Sequence, residues 1–191
     1  MRGIRLAIIA FLLGLGGAVD GAGADEAEAW AALRGGGYVA LMRHADAPGG
    51  FGDPPGFRVD DCATQRNLSV KGRADAIRIG ARLRAEGIAA EKVLASPWCR
   101  CVDTATLLQL GAVEAVPTFG NVVVLRDQRD SLTAGARAVI DAWTGSGTLF
   151  VLTHGANIQA LTGIQPASGE IVVVRGGSGG GREAVGRLML D

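Results

Sequence analysis

Tyr38-Val39-Ala40-Leu41-Met42-Arg43-His44 decides how the rest of the chain is read. Its first five residues form an unbroken apolar run, too short for a core helix and without the alternation of a half-exposed strand. Bounded upstream by Gly35-Gly36-Gly37, such a run reads as a strand buried on both faces. It hands over directly to an arginine and a histidine. A second run repeats the arrangement, with Thr148-Leu149-Phe150-Val151-Leu152 leading through Thr153 to His154-Gly155. A third, Lys92-Val93-Leu94-Ala95, runs straight into Ser96-Pro97-Trp98-Cys99-Arg100.

Helical stretches separate these strands. Glu26 to Leu33 precedes the first. Ser69 caps a helix running to about Glu86 and stopped by Gly87, with Ala74, Ile77, Ala81 and Leu83–Ala85 supplying its apolar side. Ser96 caps and Pro97 opens a helix over Trp98 to Leu110. Ser131 or Thr133 starts one ending near Trp143, and another follows His154 through Leu161. Glu114-Ala115-Val116 is a short additional strand. Ile171–Val174 and Ala184 to Leu190 form a final pair around the glycine-rich Gly176–Gly181 turn. Gly49 to Gly56, with Pro48, Pro54 and Pro55, is a loop. Apolar strands alternating with helices specify an α/β chain: a three-layer sandwich with a mostly parallel central sheet flanked by helices.

Ligand sites of open α/β sheets lie at the carboxyl ends of the strands. If the three long strands are parallel neighbours, Arg43, His44, Arg100 and His154 converge on one pocket. Two guanidiniums present planar forks that match phosphate oxygens. Two imidazoles add one nucleophile and one further donor, and the amino end of the helix at Ser96-Pro97 favours an anion at the same place. Covalent catalysis needs a neutral imidazole nitrogen facing phosphorus and held in the right tautomer. Fixed positive donors meet the charge that develops on the transferring group. No metal or other cofactor is called for.

Leu41-Met42-Arg43-His44-Ala45 resembles the R-H-G/A signature of the histidine phosphatase superfamily, which includes the phosphoglycerate mutases. Ser96-Pro97-x-x-Arg100-x-x-x-Thr104-Ala105 resembles its S-P-x-x-R-x-x-x-T-A segment, and Thr153-His154-Gly155 its second histidine strand end. The match extends from about Tyr38 to Leu190. The resemblance implies a phosphoglycerate mutase-like fold and a phosphoric monoester hydrolase. In it His44 is phosphorylated in turnover, while Arg43, Arg100 and His154 hold the phosphoryl group. Asp60 to Ser69 resembles the D-x-x-R-x-L-S/T-x-x-G segment of compact members. Two readings stand for Arg66 there, a third phosphate-binding guanidinium and a solvated loop arginine. In the mutase-like branch the general acid sits after the third strand, where this chain has Asp127 and Asp130; Asp127 comes first, with Asp130, Glu170 and Asp46 behind it. Gly155 follows the second histidine where the acid phosphatase branch carries its aspartate.

Composition narrows the context. Formal net charge is zero and no run of Lys or Arg stands out, which points away from nucleic acid and from a polybasic membrane patch. Met1 to Arg5 is basic, Leu6 to Ala18 is uncharged, and Ala22-Gly23-Ala24 is an A-x-A site. This is the layout of a signal peptide over residues 1–24, leaving one domain over 25–191, periplasmic or secreted, without stable membrane insertion after cleavage. Cys62, Cys99 and Cys101 allow one disulfide and an odd thiol in such a compartment, with Cys62–Cys99 preferred and the connectivity open. The expected partner is a small phosphorylated substrate. Two other functions remain to be separated from hydrolysis: a non-catalytic phosphate-ester binder and a phosphoryl mutase of the same superfamily.

Overall fold

The computed structural model describes residues 21–50, 52–177 and 184–190. The expected signal peptide lies outside them except for its last four residues, and most of the Gly176–Gly181 turn also lies outside. Six strands form one sheet in the order β3-β2-β4-β1-β5-β6. They are β1 Tyr38–Arg43, β2 Ala90–Ala95, β3 Val113–Ala115, β4 Thr148–Thr153, β5 Ile171–Arg175 and β6 Ala184–Leu188. β3, β2, β4 and β1 run parallel, whereas β5 is antiparallel to β1 and β6 to β5. The sheet is therefore mixed and mostly parallel. The helices are α1 Gly21–Gly35, α2 Val70–Ala85, α3 Cys99–Leu108, α4 Arg129–Asp141 and α5 Gly155–Thr162.

The two faces of the sheet follow from period-two alternation. Ala40, Met42, Phe150, Leu152 and Val173 point toward α1, α2 and α3, where they meet Leu33, Ile79, Leu83 and Leu108. Val39, Leu41, Leu149, Val151 and Val172 point the other way, onto Ile140 of α4 and Ile158 and Leu161 of α5. Both faces of β1 and β4 are covered, which is why those runs are apolar without a break.

The structure corrects two helix readings. On α2 the expected apolar side is exposed except at Leu83, with Ile77 48% accessible. The buried side is Gly72, Ala76, Ile79, Gly80 and Leu83. Close approach decides this face: a Cβ on Gly80 would fall 2.2 Å from the Leu108 carbonyl oxygen of α3, and one on Gly72 2.1 Å from that of Asp46. Glycines that permit contact count as nothing in a hydrophobicity pattern, yet they choose the packing side here. Ser69 caps this helix as expected, accepting the Gly72 N–H at 2.8 Å. The second correction is α3, which starts at Cys99. Ser96 and Pro97 lie before it, Trp98 takes the N-cap position in extended backbone, and Ser96 is engaged elsewhere.

Candidate active site

β1, β4 and β2 are parallel neighbours, so their carboxyl ends lie side by side. The two histidine rings stand there with centroids 5.5 Å apart, edge to face. Between the strand ends and the loops above them opens a cavity of about 490 Å³, bordered by Arg43, His44, Arg66, Asn121, Arg129 and His154. Gln159 and Gln165 complete its polar wall. Of the residues expected at the site, the structure brings Arg43, His44, His154 and Arg66 together on this cavity.

His44 is 2% exposed and anchored by its backbone N–H to the Thr153 carbonyl at 3.0 Å. Its Nδ1 lies 2.8 Å from the Ala45 carbonyl oxygen. A carbonyl only accepts, so Nδ1 carries the proton and Nε2 keeps its lone pair. Burial lowers the pKa of the ring to about 3; the Ala45 hydrogen bond opposes the shift, and the charges of Arg100, Arg43 and Arg66 deepen it. The result is a neutral imidazole of defined tautomer, which is what an attacking nitrogen requires.

His154 is held differently. Its Nε2 is 2.9 Å from the Ser96 hydroxyl, and the ring meets the edge of Trp98 at a centroid distance of 5.5 Å. Burial, followed by His44 and Arg100, pushes its pKa well below the ordinary imidazole value. Cys101 packs on the same ring, with Sγ 3.7 Å from Nε2, and burial pushes the thiol up to about 12, so it is no nucleophile.

Arg43 donates from Nη1 to the Pro166 carbonyl at 2.9 Å. Its buried Nε has no partner among the described residues. Burial lowers its pKa, opposed by Asp46. Arg66 reaches the cavity from the loop before α2, donating from Nε to the Gly52 carbonyl at 3.0 Å and from Nη1 to that of Ala47. Burial and then the Arg100 charge lower its pKa.

Arg100 is placed otherwise than expected. It is fully buried, does not border the cavity, and its guanidinium grips Asp53 at 2.7 and 3.2 Å. The amino end of α3 is likewise engaged, its Cys99 N–H donating to Gln65 Oε1 at 3.0 Å.

None of the four carboxylates considered as general acid borders the cavity. Asp127 sits in the 3-10 turn Arg126–Gln128, exposed and off the cavity wall, and Asp130 lines a separate surface hollow with Thr133 and Arg137. Glu170 is paired with Arg187 at 2.5 Å and accepts the Ala167 N–H at 2.7 Å. Asp46 accepts from the Ser69 hydroxyl at 2.5 Å. Among the described residues the cavity has three arginines, two histidines and three carboxamides on its wall, and no carboxylate.

Several motif residues act as stitching. Thr104 Oγ1 accepts the Ala45 N–H at 3.1 Å and donates to the Arg100 carbonyl at 2.6 Å, joining the end of β1 to α3. Cys62 and Cys99 form a disulfide, the preferred pairing, with Cα atoms 5.7 Å apart. It ties the loop carrying Arg66 to the start of α3, and Cys101 is left as a buried free thiol. The sequence reading passed over Asp53, Asn121, Arg129, Gln159 and Gln165. Asp53 sits in a glycine-proline loop that carries no periodic signal; the others project from segments assigned only as connections or helices.

Solved structures share this arrangement of strands and helices. The protein histidine phosphatase SixA, solved with tungstate, superposes with a TM-score of 0.52 at 21% identity, over 77% of this chain and 92% of that one. A candidate phosphohistidine phosphatase SixA from Agrobacterium tumefaciens gives 0.55 at 18%, over 80% and 97%. The chain has the phosphoglycerate mutase-like fold. A candidate α-ribazole-5'-phosphate phosphatase from Escherichia coli K-12 has the same fold, with a TM-score of 0.57 at 14% identity over 81% and 95% of the two chains. No protein-family model matches the chain, and no curated protein does. In this chain the histidine-bearing strand ends are those of β1 and β4, the central parallel pair of the sheet.

Proposed function

We propose that this chain is an exported phosphatase of the histidine phosphatase superfamily, working through a phosphohistidine on His44. The observation that carries the reading is the free Nε2 of a neutral, tautomer-locked His44, 2% exposed, on a cavity shared with His154 and the guanidiniums of Arg43 and Arg66. The Nε2 lone pair attacks phosphorus, the bond from phosphorus to the leaving group breaks, and that group departs with its electron pair. Water then attacks the phosphohistidine, the P–Nε2 bond breaks, and inorganic phosphate leaves. Nδ1–H, held by the Ala45 carbonyl, supports the positive charge on the ring in the intermediate. Arg43 and Arg66 meet the charge spread over the phosphoryl oxygens.

A wall without a carboxylate bears on the substrate. No carboxylate among its described residues protonates a departing alkoxide, so phosphoryl groups on good leaving groups fit best: aryl phosphates, acyl phosphates and phosphoramidates such as phosphohistidine. SixA, a protein histidine phosphatase of the same fold solved with the tetrahedral oxyanion tungstate, supports this class. The signal-peptide layout of residues 1–24 and the Cys62–Cys99 disulfide support export to an oxidising compartment.

The missing acid also favours a second reading, a phosphate-ester binder without turnover. A leaving-group series separates the two. Aryl phosphates should be hydrolysed at rates that fall steeply as the leaving phenol becomes more basic, with an acid-labile, alkali-stable phosphoenzyme trapped on quenching. Binding of the same esters without release of phosphate from any of them would leave only the binder.

A further inference from the structure

The loop Gly49–Gly56 contains one carboxylate, Asp53, and its surroundings are those of a designed contact. Its Oδ1 accepts from Arg100 Nη1 at 2.7 Å and from the Arg66 backbone N–H at 3.1 Å. Its Oδ2 accepts from Trp98 Nε1 at 2.9 Å and from Arg100 Nη2 at 3.2 Å. Both partners of the ion pair have fully buried side chains. Burial by itself raises the Asp53 pKa, but the hydrogen bonds from Arg100, Arg66 and Trp98 outweigh it and hold the group below its ordinary value, so it is a carboxylate here.

We infer that Asp53 is a positioning residue of the anion site, aiming the guanidinium of Arg100 and anchoring the loop that carries Arg66. The inference rests on the phosphatase reading. The hydrogens of Arg100 show how the aim is set. Nη1 spends both of its hydrogens, on Asp53 and on the Arg66 carbonyl at 3.1 Å, and Nη2 spends one on Asp53. Nε–H, on the guanidinium edge shared with Nη2, is buried and has no partner among the described residues. A buried guanidinium edge left open costs stability unless something comes to fill it. An edge with two parallel N–H groups suits a pair of phosphoryl oxygens. Arg100 also exerts the largest charge effect on His44, ahead of Arg43 and Arg66. Asp53 thus grips one end of the guanidinium and leaves the adjacent edge, behind the cavity wall, without a partner among the described residues. The same carboxylate fixes the first atom of Arg66, whose side chain borders the cavity, and the indole of Trp98, whose ring backs His154.

The test is a double-mutant cycle on the full chain with Asp53→Asn and Arg100→Lys, read by orthovanadate affinity and by kcat and KM for an aryl phosphate. Asn keeps the shape and one acceptor; Lys keeps the charge and loses the fork. Asp53→Asn should cost about tenfold or more in kcat/KM, and much less once Arg100 is lysine, because residues that act through one another are non-additive. The loss should appear in orthovanadate affinity as well, with the thermal midpoint still above the assay temperature. Should Asp53→Asn fail to fold, Asp53→Glu carries the same measurement, since it keeps the charge and moves it by one methylene. Equal losses in both backgrounds, or unaltered kinetics and affinity, overturn the inference while leaving the phosphatase reading intact. Tighter orthovanadate binding by Asp53→Asn overturns it too, by showing that Asp53 competes with the anion for Arg100. An unaltered chain that neither binds orthovanadate nor hydrolyses the ester overturns the phosphatase reading itself.

Discussion

The two halves of the cavity are built by different means. The strand half, with Arg43, His44 and His154, hangs on the backbone ladder of β1 and β4, and the only local help His44 needs is the Ala45 carbonyl. The loop half, with Asp53 and Arg66, has among the described residues no helix or strand beyond the 3-10 turn Cys62–Thr64 and the isolated bridge between Arg58 and Asp61. Side chains hold it: the Asp53 hub, the Cys62–Cys99 disulfide, and Gln65, which donates from Nε2 to the Arg58 and Val59 carbonyls while its Oε1 takes the Cys99 N–H. In the proposed reaction the reactive atom therefore sits on the rigid element, whereas the groups that would meet the anion's charge are partly on a stapled loop. Perturbing the strand half should therefore strike chemistry, and perturbing the loop half should strike affinity and stability.

The largest effect is expected on the strand side. His44→Ala should lower turnover by a factor on the order of 10⁴ or more, as removal of a covalent nucleophile does. Its secondary structure by circular dichroism should be unchanged, because the ring makes one hydrogen bond and the backbone stays in the ladder. Orthovanadate should still bind through the arginines. A His44→Ala protein that retains turnover would remove His44 from the mechanism and leave the strand half without its distinguishing role.

Next comes the staple. Opening Cys62–Cys99 with a Cys62→Ser/Cys99→Ser pair should cost up to about 4 kcal/mol for a loop of this span, read by denaturant unfolding; the sequence separation is 37. Kinetically it should raise KM more than it lowers kcat, since Arg66 and the start of α3 lose their tie while His44 keeps its ladder. An equal fall in kcat would show that the loop half also positions the nucleophile, and the contrast between the halves would fail.

The same contrast explains what could be read from the sequence. Strand ends are legible because a fully buried parallel strand has an unbroken apolar run, and the polar residue after it must emerge at the sheet edge; His44 and His154 follow from that alone. Gly155 in place of an aspartate was visible too. Asp53 was not, because its meaning lies in donors 13, 45 and 47 residues away. The sequence presents Arg100 as an unengaged fork, because it shows a guanidinium and not the internal partner that takes one end of it. Asp127 was chosen by its place after the third strand; the structure leaves it on an exposed turn.

The smallest effect is the most diagnostic of how the strand half is tuned. A solvated histidine titrates near 6.5, whereas burial holds His44 neutral down to about pH 3. Nitrogen-edited NMR of the chain's two histidines should show no titration of the His44 ring between pH 5 and 8. The linkage sign follows. Below pH 6.5 the unfolded chain takes up a proton that the folded one refuses, so this contribution to stability is fully present above that pH and falls away as pH drops toward 3. At pH 5 the loss from His44 alone is about 2 kcal/mol, and His154, displaced in the same direction, adds to it. The thermal midpoint should therefore decline from pH 7 to pH 5, and His44→Ala should decline less steeply over the same interval. Parallel declines in the two proteins would mean that His44 is solvated in the folded state, and an imidazole that titrates near 6.5 could not be the buried, tautomer-locked nucleophile described here.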